Sequence, residues 1–277
     1  MLKVSNTMNN LSDVTVFNFT GVYESEDFYK DIDNPRFIEC GNIQGTGCLC
    51  DEDGEKEIRR RIDEAKVPLK GIHFIDNGNY HYMSYIFTSY IKEPFHLIYF
   101  DNHSDMKTSM FGDILSCGSW VKKTLDTNTC VRKVIAIGVN EKLFEEIEEC
   151  DRNKVTRMSL AQKENSFSQD ENTDDAKSLV DNLIDDLLGN LSDDLPVYIS
   201  IDKDVLAPDQ LMTNWDQGTM RTETLIGIVK RLLESKKVCG IDICGEVSQD
   251  TDCDQAAQIN RNNSFNRELL KEILSSR

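Results

Sequence analysis

Long apolar runs are missing from this sequence of 277 residues. The longest, such as residues 134–139 and 198–201, are far shorter than the ~20 apolar residues that a membrane-spanning helix needs. The first six residues, MLKVSN, also lack the apolar segment and the small-residue cleavage site of a secretory signal. We therefore expect a chain without a membrane segment and a cytoplasmic location.

Basic charge is scarce as well. The chain has 31 Lys and Arg residues against 49 Asp and Glu residues, which gives a net charge of −18. Nucleic acids and anionic lipid surfaces both bind clustered Lys and Arg, so this balance argues against either as the main partner. An acidic surface serves solubility, and it can also steer a cationic ligand towards the protein.

The nine cysteines lack the spacing of a metal or redox motif. None belongs to a CxxC pair, and the closest group, Cys40, Cys48 and Cys50, has no neighbouring histidine. An odd number of cysteines in a chain without a secretory signal indicates reduced thiols rather than a disulfide framework. The pattern gives no reason to base the chemistry on cysteine.

Short apolar segments alternate with longer amphipathic ones along the chain, which predicts a mostly parallel sheet built from βα units. Continuous apolar strands such as 97–100 predict helices on both faces of that sheet. We expect one domain over residues 1–277, a three-layer α/β/α fold, with long loops at 26–54 and 162–174. The predicted strands are 14–19, 71–76, 97–101, 133–139, 197–202 and 238–242. The predicted helices are 54–65, 81–91, 141–149, 174–188, 222–235 and 265–274.

Three candidate ligands follow the predicted strand at 97–101. Asp101, His103 and Asp105 succeed one another at steps of two. Residues two apart point the same way in a chain that stays extended past its strand, so these side chains can converge on one point. Open parallel sheets bind ligands at the carboxyl ends of their strands, which makes this a candidate metal site. The alternative is a polar surface loop.

A second acidic pair follows the predicted strand at 197–202. Asp202 and Asp204 again stand two residues apart. If both strands belong to one parallel sheet, these carboxylates can lie against the first cluster. Four carboxylates with one or two histidines and no thiolate suit Mn²⁺ in octahedral geometry better than a structural Zn²⁺ site.

Four motifs together resemble those of the ureohydrolases, the family of arginase, agmatinase and their relatives. Residues 101–105 (DNHSD) are similar to the family's D-A-H-x-D, and residues 200–208 (SIDKDVLAP) to S-x-D-x-D-x-x-D-P. Residues 78–82 (GNYHY) are nearest to G-G-D-H-S. Residues 240–246 (GIDICGE) look like G-L-D-I-x-E with the glutamate displaced by one place. The resemblance spans roughly residues 70–250 and implies an arginase-like α/β fold.

The resemblance also implies two Mn²⁺ ions per chain. The ligands carried over from the family motifs are His81, Asp101, His103, Asp105, Asp202 and Asp204. Asp101 and Asp202 would bridge both ions, since bridging carboxylates can hold two dications about 3.5–4 Å apart. His81 and Asp105 would complete one metal position, and His103 and Asp204 the other. The ions would lower the pKa of a bound water, and Asp105 would shuttle its proton.

A guanidino substrate also calls for an anion in the site. Glu246 is a candidate because a carboxylate forms charge-assisted, bidentate pairs with a guanidinium. Asp216 is a second candidate, and the neighbouring Trp215 could stack on a cation. Each has a plainer interpretation, as surface carboxylates and a packed aromatic ring.

The segment after DNHSD differs from that of arginases that act on free arginine. Their S-x-N-x-H-G loop reads the α-amino and α-carboxylate groups, but residues 106–120 contain neither Asn nor His. In this respect the sequence resembles the peptide arginases, which convert arginine within a polypeptide to ornithine and urea. We therefore expect a Mn²⁺-dependent hydrolase of peptidyl arginine, whose partner is an arginine-containing peptide.

Two other functions remain compatible with the sequence. The same fold and metals could act on agmatine, a formimino group or an amide of a small cationic substrate. The chain could instead be a non-catalytic relative that binds metal or an acceptor protein, with the degenerate GNYHY motif as a remnant. The complete set of six ligands favours an enzyme.

Overall fold

A computed structural model describes residues 11–108, 112–159 and 173–276. Its strands are β1 (Val14–Asn18), β2 (Arg36–Glu39), β3 (Leu49–Cys50), β4 (Ile72–Phe74), β5 (Phe95–Phe100), β6 (Leu115–Ser116), β7 (Val131–Ile137), β8 (Val155–Met158), β9 (Val197–Asp202) and β10 (Val238–Cys244). Eight of them form one sheet in the order β2-β1-β4-β10-β9-β5-β7-β8, and all neighbours are parallel. The remaining two, β3 and β6, form a short antiparallel pair.

Helices cover both faces of the eight-stranded sheet. They are α1 (Glu52–Glu64), α2 (Met83–Ser89), α3 (Trp120–Thr127), α4 (Glu141–Glu145), α5 (Glu149–Arg152), α6 (Thr173–Asn190), α7 (Thr222–Ser235) and α8 (Gln255–Ser275). Alternate residues of β5 enter two separate apolar cores: Leu97 packs with residues of α1, α2 and α3, and Ile98 with residues of α6, α7 and α8. The predicted three-layer α/β/α class with a mostly parallel sheet is therefore confirmed. Within the described ranges, no helix combines the length and the apolar character that a membrane crossing requires.

All six predicted strands are present, and two edge strands were missed. One is β2, which lies inside the segment 26–54 that we predicted as a loop, so that prediction is wrong there. The other is β8 at the opposite edge. Each has only four residues, and both carry charged side chains such as Arg36 and Arg157. Edge strands are commonly short and charged, which hides them from a search for apolar runs.

The helices differ from prediction mainly at their ends. The helix predicted at 141–149 is split into α4 and α5. The last helix begins ten residues earlier than predicted. Asp254 caps its N-terminus by accepting a hydrogen bond from the main-chain N of Ala257. The first half of the helix is polar and lacks the apolar pattern on which the prediction relied. The helix α3 was not predicted. Most of the loop predicted at 162–174 lies outside the described residues.

The strand order brings the motifs of the sequence to one edge of the sheet. Strand β9 lies between β5 and β10, with Phe100 paired to Ile201 and Cys244 paired to Asp202. Strand β4 lies on the other side of β10. The residues that follow these four strands therefore meet at the carboxyl edge, where open parallel sheets bind ligands.

Candidate metal centre

The first group of candidate ligands surrounds His81, which follows a 3-10 turn at Gly78–Tyr80. Its Nδ1 atom lies 3.3 Å from Oδ2 of Asp101, 3.0 Å from Oδ2 of Asp105 and 3.4 Å from Oδ2 of Asp202. All four side chains are buried. The turn thus delivers the ligand from the degenerate GNYHY motif to the carboxylates that follow β5 and end β9.

The second group is formed around His103. Its Nδ1 atom lies 2.7 Å from Oδ2 of Asp204 and 3.5 Å from Oδ1 of Asp101. The two groups share Asp101, whose two oxygens face different histidines. The structure therefore brings all six residues of the expected ligand set together, and Asp101 belongs to both groups.

Asp202 and Asp204 are each held through Oδ1 and present Oδ2 to the cluster. Oδ1 of Asp202 accepts a hydrogen bond from the main-chain N of Asp204 at 2.9 Å, and Oδ1 of Asp204 accepts one from the main-chain N of Asn102 at 2.9 Å. Oδ2 of Asp105 accepts one from Nε1 of Trp120 at 2.6 Å. These bonds fix the ligands in place before any ion is bound.

The side chains present fit a pair of dications. Oδ2 of Asp101 is buried and has no hydrogen-bond partner among the described residues. Burial and the neighbouring Asp204 raise the pKa of Asp202 to about 7, and burial and Asp101 raise the pKa of Asp204 to about 7. A buried carboxyl without a partner is costly, and so is a group of like charges. Bound dications would relieve both costs.

A hydrogen-bonded chain behind His81 fixes its ring. Its Nε2 atom is 2.9 Å from Oγ of Ser200, which donates to Oδ1 of Asp242 at 2.7 Å. Asp242 also accepts hydrogen bonds from the hydroxyls of Ser84 and Tyr198. This chain leaves Nδ1 facing the carboxylates, as a metal-binding histidine requires. Sequence reasoning missed the role of Ser200 and Asp242, although both lie inside the quoted motifs.

A cavity of about 200 Å³ opens from the cluster to solvent. Trp215 lines it with 41% of its surface exposed, and its ring meets that of His103 edge-on at 5.8 Å between centroids. Nε1 of Trp215 donates to Oδ1 of Asn79 at 3.1 Å. The rim also carries Lys107, which the sequence analysis did not single out. Trp215 thus lines the cavity, and its contact with a substrate stays a prediction.

Glu246 lies in the protein interior and not at the cavity. Its Oε1 atom accepts hydrogen bonds from Nζ of Lys203 at 2.5 Å and from Nδ2 of Asn266 at 2.8 Å, and the side chain is fully buried. It is not among the described residues that line the cavity. The assignment of Glu246 as the catalytic, guanidinium-binding carboxylate is therefore corrected, because its charge is already paired with Lys203.

The displaced glutamate has a local cause. Gly245, which stands where the family motif has its glutamate, adopts a φ of +94°. A Cβ atom there would lie 2.6 Å from Oδ1 of Asp202 and 2.7 Å from the main-chain N of Lys203. Glycine fits this close approach without a clash, and the acidic residue of this segment is Glu246, one place later.

Asp216 is also outside the cavity lining that the structure describes. Its side chain is exposed, and its main-chain oxygen accepts a hydrogen bond from Nδ2 of Asn102 at 2.9 Å. Asp216 thus holds the loop that follows β5 through its backbone. Of the three predicted substrate residues, Trp215 is the one among the described residues that line the cavity.

The chain is similar to proteins of one family along most of its length. A model of the arginase family matches residues 23–263. An uncharacterized protein of Thermotoga maritima is 30% identical over 233 residues, which cover 84% of this chain and 79% of that protein. The matched region includes every candidate ligand described above.

Solved structures share the fold at low sequence identity. Formimidoylglutamase of Bacillus subtilis aligns with a TM-score of 0.67 at 14% identity, over 95% of this chain and 86% of that chain. Agmatine ureohydrolase of Thermoplasma volcanium aligns with a TM-score of 0.64 at 14% identity, over 100% and 94% of the two chains. Arginase of Bacillus subtilis aligns with a TM-score of 0.64 at 12% identity, over 95% and 98%. These likenesses show the fold and do not distinguish the substrate.

The buried pair of Lys203 and Glu246 predicts a loss of stability when the carboxylate is removed. Glu246→Ala leaves the Lys203 charge uncompensated and should lower the free energy of unfolding by about 3–5 kcal/mol. Glu246→Gln keeps a hydrogen-bond acceptor and should cost less. Denaturant unfolding measures both variants against Asp216→Asn, an exposed change that should alter stability little. A stable Glu246→Gln protein with a greatly raised KM would contradict this interpretation and indicate that Glu246 contacts the substrate.

Metal affinity should depend on pH, since protons compete for the same atoms. Burial lowers the pKa of His103, but hydrogen bonds to Asp101 and Asp204 outweigh it and raise that pKa to about 11. Asp202 and Asp204 hold protons up to about pH 7. Mn²⁺ must displace these protons, so its affinity should fall by about tenfold or more per pH unit below pH 7. Calorimetric titration in two buffers of different ionisation enthalpy measures the affinity and the protons released. Equal affinity at pH 6 and pH 8 without proton release would contradict the cluster as the binding site.

Proposed function

Because the chain belongs to the arginase family, we propose that it uses two Mn²⁺ ions to hydrolyse the guanidino group of arginine within a peptide, which yields peptidyl ornithine and urea. The family itself indicates a hydrolase of carbon–nitrogen bonds in amidines. The observation that supports this proposal most directly is the convergence of His81, Asp101, His103, Asp105, Asp202 and Asp204 at the base of an open cavity.

The residues of the cluster have different roles in the proposed reaction. When bound, the two dications would supply a nucleophilic water at neutral pH and neutralise charge that develops on the substrate. Asp105 faces the cavity and can take a proton from the attacking water and return it to the leaving nitrogen. Trp120 fixes the orientation of Asp105, and the chain through Ser200 fixes that of His81.

The rim of the cavity supports a peptide substrate. No residue of 106–120 supplies the Asn and His that read the α-amino and α-carboxylate groups of free arginine in the family. An internal arginine of a peptide lacks both charges and leaves no desolvated carboxylate unpaired. With Glu246 engaged elsewhere, the exposed face of Trp215 is the candidate contact for the guanidinium, through a cation–π interaction. The net charge of −18 would attract a basic segment, and salt would weaken that attraction.

One observation favours a second candidate substrate. Lys107 is exposed and lines the cavity, so it can pair with an anionic group of a ligand. An amidine that also carries a carboxylate, such as a formimidoyl amino acid, would use this cation. A peptide would use it only where an acidic residue lies near the arginine.

Mass spectrometry of four substrates distinguishes these functions. The Mn²⁺-loaded protein is incubated with an arginine-containing peptide, free arginine, agmatine and a formimidoyl amino acid. We expect the peptide to lose the mass that separates arginine from ornithine, with urea released in equal amount. Asp101→Ala and Asp202→Ala should abolish this activity, because Asp101 belongs to both ligand groups and the family motifs imply Asp202 as the second bridging carboxylate.

Two lysine variants complete this comparison. Lys107→Ala should change the rate of peptide turnover by no more than about twofold. Lys271→Ala, an exposed change on α8, serves as the control for general charge effects. A KM for the formimidoyl amino acid that rises tenfold or more in Lys107→Ala would favour the second candidate. Turnover of free arginine or agmatine without any change in peptide mass would refute peptidyl arginine as the substrate.

A further inference from the structure

A thiol lies against the first group of metal ligands. Cys244 is the last residue of β10 and pairs with Asp202 across the sheet. It is fully buried, and its Sγ atom lies 3.1 Å from Oδ2 of Asp202, which is itself 3.4 Å from Nδ1 of His81. The ligand atoms of Cys244, His81 and Asp202 all lie within 4.8 Å of one another.

These separations match those of ligands on one metal ion. Bonds of about 2.0–2.3 Å to N, O and S place neighbouring ligand atoms roughly 3–3.5 Å apart. A second observation points to an ion at the same place: Oδ2 of Asp101 is buried, lacks a hydrogen-bond partner among the described residues, and lies 3.3 Å from Nδ1 of His81. The ion expected between His81 Nδ1 and Oδ2 of Asp202 would lie beside the thiol, because Sγ of Cys244 is 3.1 Å from that oxygen.

The other buried thiol of the strand is bound differently. Cys239 donates a hydrogen bond to the main-chain oxygen of Val197 at 3.3 Å, at the opposite end of β10. It is a matched reference for Cys244, because both are buried cysteines of one strand and only Cys244 reaches the ligand cluster.

We propose that Cys244 is a thiolate ligand of the ion held by His81, in addition to the six residues that the family motifs supply. The inference rests on the dinuclear centre of the proposed function and makes its two positions chemically unlike. Thiolate is a soft ligand that favours Zn²⁺, Fe²⁺ or Co²⁺ over Mn²⁺, whereas the position built from Asp101, His103 and Asp204 offers only nitrogen and oxygen. Binding of the ion releases the thiol proton to solvent.

Cobalt(II) gives a direct test, because a thiolate bound to Co²⁺ produces an intense near-ultraviolet charge-transfer band that nitrogen and oxygen ligands do not produce. The full-length protein is titrated with Co²⁺ while its absorbance and its metal content are followed. We expect the band to saturate at one equivalent of a two-ion total. It should disappear in Cys244→Ser and persist in Cys239→Ser. Cys244→Ser should also weaken Co²⁺ binding at one position by about tenfold or more.

The possible outcomes separate the two proposals. Two bound Co²⁺ ions without the band would leave the dinuclear centre intact and refute the thiolate ligand, since Cys244 would then only donate a hydrogen bond to Asp202. A band that persists in Cys244→Ser but disappears in Cys239→Ser would refute the assignment as well. Failure to bind Co²⁺ at all, with the fold preserved by circular dichroism, would overturn both the dinuclear centre and the thiolate.

Discussion

The electrostatics of four buried carboxylates at the ends of two neighbouring strands govern this structure. Parallel pairing of β5 with β9 places Asp101 and Asp105 against Asp202 and Asp204. Burial away from water, and next to it repulsion from the neighbouring carboxylates, raise the pKa of Asp202 and of Asp204 to about 7. A fold that keeps such a cluster needs countercharges. The two histidines meet part of this need, and a pair of dications would meet the rest while giving the cavity its chemistry.

The segment that ends β9 also carries a buried ion pair, separate from the carboxylate cluster. Asp202 and Asp204 face the cluster, whereas Lys203 between them points into the interior and binds Glu246, Asn262 and Asn266. Burial and Glu246 raise the pKa of the nearby Glu26 to about 10, so its carboxyl stays protonated and a single negative charge faces Lys203. The carboxylate cluster and the ion pair of Lys203 with Glu246 thus lie on opposite sides of one backbone segment. This arrangement places Glu246 on the side of the ion pair and away from the cavity.

Much of the fold and most of the cluster could be predicted from the sequence. Apolar strands that end in acidic residues gave the parallel sheet and its carboxyl edge, and the motif resemblance gave the ligand from the degenerate segment at His81. The contacts of Glu246 could not be predicted from a motif, since a shift of one residue changes the direction in which a side chain points. Lys203 was the missed signal, because a lysine within a buried strand end requires a carboxylate partner. Cys244 was overlooked because only pairing of β9 with β10 brings it to Asp202.

The metal content of the protein and of two variants tests the central claim, a bridged dinuclear centre, most directly. Protein equilibrated with excess Mn²⁺ and freed of unbound ions is analysed by elemental mass spectrometry, with circular dichroism to verify the fold. We expect two ions per chain in the wild type, none retained by Asp101→Ala and one retained by Asp204→Ala, because Asp101 belongs to both ligand groups and Asp204 to only one. A single ion in the wild type, or two ions retained by a folded Asp101→Ala protein, would contradict the claim.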